Sequence, residues 1–452
     1  MMTNEVASLA SNFFFESAPA TATEKLTQQI LIQLVVIVVM SRMVAALLKR
    51  VFGQTEVVGE IIAGLILGPS LFGALFPHAF AFIFTGTVDR VFTGLAQIGL
   101  IFLMFEIGVE FEFRRLLSTS RIALLIVSAA SISLPFVLAY LTAPFFYHSI
   151  DGGGKSLLAF RLFFGVAVSI TALPILGRIF MELDLSHTRI SALTIGAAAI
   201  NDLAGWLLLG GVTAAITSGF NAGISMLRMG VLLGYMAIVW FVARPFLKKR
   251  VTASMRGTTE ISGPLIGWIS AALFCSAFLT SWLGVFANIG GFIAGFALHE
   301  NRKFANAWKQ QVAPIIKVVF LPLFFVYTGL RVNITALHGT MAIFTCLAII
   351  AVSFSGKFVG AWLAARFVRE TPRNSIVIGI CMNTRALMEL IVLNIGLDLG
   401  VLSRNMFSML VLMAIASTVI TTPLLRLLMS AERRKSGASD IASAVGAVGV
   451  ID

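Results

Sequence analysis

The chain reads as an all-α, polytopic membrane protein of about 13 transmembrane helices. Hydrophobic residues make up 58% of its 452 and charged residues 12%, with a mean hydropathy of +0.96. A water-soluble domain of that length could not clothe its surface with so few charges. The apolar residues also fall in stretches of about 20, the length a helix needs to cross the hydrocarbon core. Basic residues cluster between those stretches and favour alternate loops, with about 22 Lys and Arg on one side against about 7 on the other. That bias sets the richer side in the cytoplasm, the N-terminus outside and the C-terminus inside. The net charge of +12 is then topological. The expected partner is the lipid bilayer, with no nucleic acid.

The elements follow in order. Residues 1–27 are polar, carry Glu5, Glu16 and Glu24 and lack a basic n-region, so they read as an extracytoplasmic tail and not a cleaved signal. Span 28–48 ends on Lys49-Arg50; span 57–75 is short and glycine-rich; span 91–109 leads to Arg114-Arg115. Spans 121–146 and 157–180 come next, the second containing Ser169-Ile170-Thr171-Ala172-Leu173-Pro174. Span 190–216 holds Asn201-Asp202, and span 223–247 ends on Lys248-Lys249-Arg250. Spans 260–281, 283–299 (again short and glycine-rich), 314–330, 341–367, 374–398 and 405–429 complete the set. Residues 431–452, rich in Ser, Ala and Gly, are expected to form a disordered cytoplasmic tail with no room for a nucleotide-binding domain. Cys275, Cys346 and Cys381 show neither CxxC nor Cys/His spacing and read as packing residues, so neither disulfides nor a transition metal is expected.

The chain also echoes itself. Gly59-Glu60-Ile61-Ile62-Ala63-Gly64-Leu65 matches Gly290-Gly291-Phe292-Ile293-Ala294-Gly295-Phe296, and Phe105-Glu106-Ile107-Gly108-Val109 matches Val326-Tyr327-Thr328-Gly329-Leu330 on the spans that follow. Each pair is separated by an odd number of spans, about seven, so equivalent helices cross in opposite directions, as in the two inverted repeats of secondary transporters.

Asp202 stands out. Of the aspartates, only it sits mid-span, where insertion scales put the cost of a carboxylate at about 2.5–3.5 kcal/mol; the default reading is an ion or proton site facing a cavity. Inverted-repeat carriers place such sites where a helix in each half is interrupted. In the first half Pro174 removes a donor and clashes with the Ile170 carbonyl. In the second, Cys381-Met382-Asn383-Thr384-Arg385 sets a polar run in an apolar span. A proline kink with helix-to-helix hydrogen bonds is the plainer account of both.

Taken together, Gly59 to Pro69 (GEIIAGLILGP), Thr171-Ala172-Leu173-Pro174, Asn201-Asp202, Phe325-Val326-Tyr327-Thr328-Gly329-Leu330, Gly356-Lys357 and Asn383-Thr384-Arg385-Ala386-Leu387-Met388-Glu389-Leu390 resemble the monovalent cation:proton antiporter-2 family. That family includes sodium/proton, potassium/proton and plant-type cation/proton exchangers. The ordered match runs from about residue 28 to 430. The resemblance implies a homodimer whose dimerisation part spans about 28–109 and 260–330. It implies a moving core of about 121–216 and 341–429, a linker helix of about 223–247, and two discontinuous helices crossing beside the aspartate. It makes Asp202 the cation and proton carrier, with Thr171, Ser169 and nearby carbonyls helping to hold the cation, and it puts Lys357 at the place of the core-domain lysine.

One position departs from the pattern. Many electrogenic relatives carry two adjacent aspartates, the first paired with that lysine, whereas Asn201 cannot ionise. A membrane-embedded Lys357 must then deprotonate, find another partner or snorkel. Arg385 and Glu389 are spaced i,i+4 and share a helix face; a pair that holds the core together explains them as well as a transport role does. Glu60 and Glu106 read as structural, and Trp206, Trp240, Trp282 and Trp362 as interface or packing residues.

The mechanism that follows is competition of a proton and a desolvated cation for one carboxylate whose environment favours neither outright. Hard cations prefer oxygen ligands such as Asp202, Thr171 and the Asn201 amide, which favours Na+, with K+ or Li+ as alternatives. One titrating acid per protomer predicts electroneutral 1:1 exchange with no cofactor. The rivals are a potassium-efflux channel-like system, opposed by the lack of a TVGYG-type filter, and a sodium-coupled organic-anion symporter. An intramembrane enzyme lacks a second mid-span aspartate, HExxH or Gly-x-Ser-x-Gly. The membrane is a bacterial plasma membrane or an internal, thylakoid-type one.

Overall fold

The computed structural model describes residues 22–54, 56–84, 86–110, 120–149, 156–171, 176, 180, 188–283, 286–335, 337, 339–385 and 387–448. Among these, every regular element is helical. The principal helices are α1 (Ala22–Phe52), α2 (Glu56–Leu67), α3 (Gly86–Glu110), α4 (Arg121–Ser149), α5 (Leu157–Ser169) and α6 (Arg189–Thr217). Then come α7 (residues 222–254, with a π-helical turn at Val239–Ala243), α8 (Gly263–Trp282), α9 (Ala287–Phe296) and α10 (Arg302–Gln311). The last are α11 (Ala313–Leu330, with a π-helical turn at Ile316–Phe320), α12 (Thr340–Phe367), α13 (Pro372–Cys381), α14 (Leu387–Asp398) and α15 (Arg404–Val448).

Ten helices of the described residues are long and apolar enough to cross a membrane. The predicted spans outside those ten are the ones that hold an interruption or a glycine run. Span 157–180 becomes α5, which stops at Ser169; span 374–398 becomes α13 and α14; span 283–299 becomes the ten-residue α9. At 1.5 Å per residue, ten residues reach about 15 Å, half the hydrocarbon thickness.

The described residues show where the first interruption begins and what causes the second. After Ser169 the backbone turns extended at Ile170 (φ −77°, ψ 147°); Ala172, Leu173 and Pro174 lie outside the described residues. In the second break no proline is involved. Asn383 Nδ2 donates to the Gly379 carbonyl at 3.1 Å and Thr384 Oγ1 to that of Cys381 at 2.8 Å, while the backbone tightens into Asn383 N–Ile380 O (3.0 Å) and Thr384 N–Cys381 O (3.1 Å). Short polar side chains here compete with the helix for its own carbonyls and end it.

Two groups of helices result. In one, α2 packs on α11 and α3 on α9, with α1 and α8 alongside. A methyl on Gly64 would stand 2.6 Å from the Val326 carbonyl oxygen, and one on Gly295 would stand 2.1 Å from that of Phe105. Gly329 likewise abuts Gly64, and Gly108 abuts Gly295. Close backbone approach through small residues is how helices associate where lipid supplies no hydrophobic drive. The second group comprises α4, α5, α6 and α12–α15. Helix α7 touches both: it packs on α6, and Tyr235 donates to Ser276 of α8 at 2.6 Å. Its Leu227, Phe241, Val242 and Phe246 are exposed to the surroundings that the sequence assigns to lipid.

Both ends of the described chain are helical. Helix α1 begins at Ala22, inside the tail predicted for 1–27, where Glu24 complements the helix dipole. At the other end the backbone stays helical to Val448, through most of the 431–452 segment expected to be disordered. Extending a nucleated helix through alanine-containing sequence without proline costs little.

Candidate functional site

Thr188 caps α6, its hydroxyl accepting from Ser191 N at 3.2 Å. The helix carries Asn201 (0% exposed) and Asp202 (2%) through the middle of the second group. Asn201 Nδ2 donates to Ser131 Oγ of α4 at 2.9 Å and to Thr171 Oγ1 at 3.3 Å. Thr171 Oγ1 in turn donates to the Met382 carbonyl at 3.4 Å. Four segments meet at this node: α4, α6 and the two helix interruptions.

The half-helix α5 ends against two basic side chains. An α-helix leaves its last carbonyls unpaired and carries partial negative charge there. Lys357, fully buried on α12, donates its Nζ hydrogen to the Ser169 carbonyl. Arg385 donates to the Val168 carbonyl at 2.8 Å, to that of Ser353 at 3.2 Å, and to Glu389 Oε1 at 2.9 Å. Thr418 Oγ1 closes over the Arg385 carbonyl at 2.5 Å. The expected i,i+4 pairing of Arg385 and Glu389 is therefore present, and the pair also ties α12 and α14 to the end of α5. Asp202, Arg385 and Glu389 all lie within electrostatic reach of Lys357. The buried cluster thus balances two acids with two bases.

The residues that the sequence assigned to the site are brought together here. Thr171, Asn201, Asp202, Lys357, Asn383, Thr384, Arg385 and Glu389 are all buried and gathered around the two interruptions. Ser169 contributes its backbone and not its side chain: the hydroxyl turns back to the Val166 carbonyl at 2.9 Å while the carbonyl receives Lys357. Lys357 does not snorkel. Glu106 pairs with Lys317 at 2.6 Å, and Arg42 reaches Glu56 at 4.0 Å and the Lys317 carbonyl at 3.0 Å, placing Glu106 in the first helix group away from this cluster. Trp206 is buried, Trp282 exposed, and Trp240 stacks on Phe296 under Arg244. Ser131, Ser353 and the Val168 and Met382 carbonyls were not legible: an isolated serine or a backbone oxygen in an apolar span carries no sequence signal. Among the described residues no group of three His, Cys, Asp or Glu could hold a metal ion.

Residues 35–430 match the family described as sodium/hydrogen exchanger, transmembrane. The chain belongs to the sodium/hydrogen exchanger family. This exchanger-family member is 35% identical over 397 residues to the Na(+)/H(+) antiporter NhaS4 of Synechocystis sp., covering 87% of the chain and 96% of that relative. It is 34% identical to Cation/H(+) antiporter 17 of Arabidopsis thaliana over 87% of the chain, which spans 48% of that longer protein. It is 25% identical to the Na(+)/H(+)-K(+) antiporter GerN of Bacillus cereus over 90% of the chain and 98% of the relative. The sodium proton antiporter MjNhaP1 of Methanocaldococcus jannaschii shares the fold, with a TM-score of 0.62 and 17% identity over 92% of this chain and 98% of that one. The family is one of multi-pass membrane transporters and not of enzymes.

Proposed function

We propose that this protein exchanges a monovalent cation for protons by alternating access, with Asp202 as the shared carrier. One observation carries the reading: the buried Asp202 directly follows Asn201 on α6, whose amide, through Thr171 and the Met382 carbonyl, joins both helix interruptions. Na+ is the first candidate, with K+ and Li+ as alternatives, since carboxylate, hydroxyl and amide oxygens suit hard cations. Asn201 cannot ionise and Glu389 is held by Arg385, so Asp202 is the one acid per protomer that titrates and exchange is electroneutral, 1:1. The reciprocal contacts of α2 with α11 and α3 with α9 support inverted repeats, because each glycine motif of one repeat meets its counterpart's neighbour in the other. That group serves as the dimerisation part of a homodimer, the second as the moving core and α7 as the linker. The N-terminus faces outward, and the membrane is a bacterial plasma membrane or an internal one.

The test is exchange in proteoliposomes with an internal pH dye, using Na+, Li+ and K+ over a pH series. Wild type should show cation-dependent proton movement that does not change with membrane potential. Asp202→Asn should abolish it. Retained exchange in that variant would assign the ion to another residue; a potential-dependent current would reject 1:1 stoichiometry. Unitary currents far above carrier rates would favour a channel.

A further inference from the structure

Ser131 is fully buried in the body of α4. Its hydroxyl donates to the Ser128 carbonyl at 3.0 Å, so towards Asn201 it acts as an acceptor, and Asn201 Nδ2 supplies the hydrogen at 2.9 Å. Thr171 is arranged alike: it donates to the Met382 carbonyl and accepts from the same amide nitrogen at 3.3 Å. An asparagine amide has two N–H donors and one acceptor oxygen. With both donors engaged, the amide cannot turn over without setting its oxygen against two hydroxyl oxygens whose hydrogens are spent elsewhere. Asn201 Oδ1 is thereby held on the opposite edge of the group. It is buried and accepts no hydrogen bond from the described residues. Asn383 Oδ1, in the second interruption, is in the same state, with its Nδ2 tied to the Gly379 carbonyl. An unpaired buried acceptor is costly and rare, which points to a ligand that uses it.

We propose that Ser131 is a positioning residue of the ion site, fixing the Asn201 amide so that Oδ1 is offered as a neutral ligand to the alkali cation carried at Asp202. This inference rests on the reading of Asp202 as the carrier. A cation needs several oxygens to replace its hydration shell, whereas a proton needs one carboxylate oxygen. Ser131 therefore sets how well the cation competes with the proton, and it does not set the rate of the loaded carrier.

The experiment compares wild type, Ser131→Ala, Ser131→Thr and Asp202→Asn in the proteoliposome assay. Freeing the amide in Ser131→Ala should raise the apparent KM for Na+ about fivefold to tenfold, as loss of one orienting hydrogen bond does, with the maximal rate unchanged to within about twofold. At fixed Na+ the acid limb of the pH profile should move to higher pH by up to about one unit, because weaker cation binding lets a lower proton concentration win. Ser131→Thr keeps the hydroxyl and should restore the KM. In an Asn201→Ala background, Ser131→Ala should change the KM no further. An unchanged KM with Asp202→Asn inactive would overturn the proposal while leaving the carrier intact; so would a fall in maximal rate alone, or a KM rise that persists without Asn201. Exchange retained in Asp202→Asn would instead remove the carrier reading. If Ser131→Ala does not fold, judged by its melting in detergent, Ser131→Cys gives the same comparison, since a thiol is the weaker acceptor.

Discussion

Lys357 shows how a buried basic side chain is satisfied without an adjacent acid. With asparagine at 201 there is no second acid beside the lysine on α6, and Lys357 donates instead to the Ser169 carbonyl at the negative end of α5. Arg385 does the same one residue earlier and carries Glu389 as its counter-ion. Removing one partner of a buried pair leaves the other uncompensated, at a cost of about 3–5 kcal/mol, whereas removing both together costs far less. Arg385→Ala should therefore lower the detergent melting temperature sharply, and adding Glu389→Gln should recover most of the loss. A single variant that melts like wild type would show that the pair does not hold the α5 terminus.

At the scale of elements, the reciprocal glycine contacts set helix spacing. Gly64→Ala and Gly295→Ala each push a methyl into backbone and should cost about 1–3 kcal/mol. Gly94 of α3 faces nothing within 4 Å, so Gly94→Ala should be neutral or slightly stabilising. Equal melting shifts in all three would refute packing as the reason. Glu300, after α9, fastens the end of α7: it accepts from Lys248 at 2.9 Å and Arg244 at 2.5 Å. The hydrogen bond from Lys248, then that from Arg244, holds its carboxyl below the ordinary range. Because the folded value is the lower one, this contribution is present above the unfolded carboxylate pKa and is lost as pH falls through the folded value. The melting temperatures of wild type and Glu300→Gln should thus differ slightly at pH 7, by the equivalent of about 1 kcal/mol or less for an exposed pair, and converge in acid. A gap that widened in acid would contradict this sign.

For the whole molecule, the alternating access proposed above would have the second helix group move against the first, so contacts between the groups would have to yield. The clearest runs from α11 to α14: Arg331 donates to Asn394 Oδ1 at 2.8 Å and to Asp398 Oδ1 at 2.5 Å, and Asn394 Nδ2 donates to Thr328 Oγ1 at 2.8 Å. Asn333 N also reaches Ser408 Oγ of α15 at 3.0 Å. In a cysteine-free background, a cleavable bifunctional crosslink between cysteines placed at 331 and 398 should stop exchange, and cleaving it should restore activity. Undiminished exchange through the crosslinked protein would mean that these groups do not slide past each other.

The membrane class, the order of spans and both interruptions were legible because each rests on composition or on local polarity set against an apolar background, as Asp202 and the Asn383-Thr384-Arg385 run do. The i,i+4 spacing of Arg385 and Glu389 was legible as well, but Arg385 lies in the interruption, before α14 begins at Leu387, so the contact itself is set by the fold. Which hydroxyl holds the Asn201 amide, which carbonyl receives Lys357 and which glycine meets which backbone depend on segments tens to hundreds of residues apart. Only folding brings Ser131, Thr171 and Met382 around residue 201. Hydrogen-bond direction at that node is a property of the assembled helices, and no single segment encodes it.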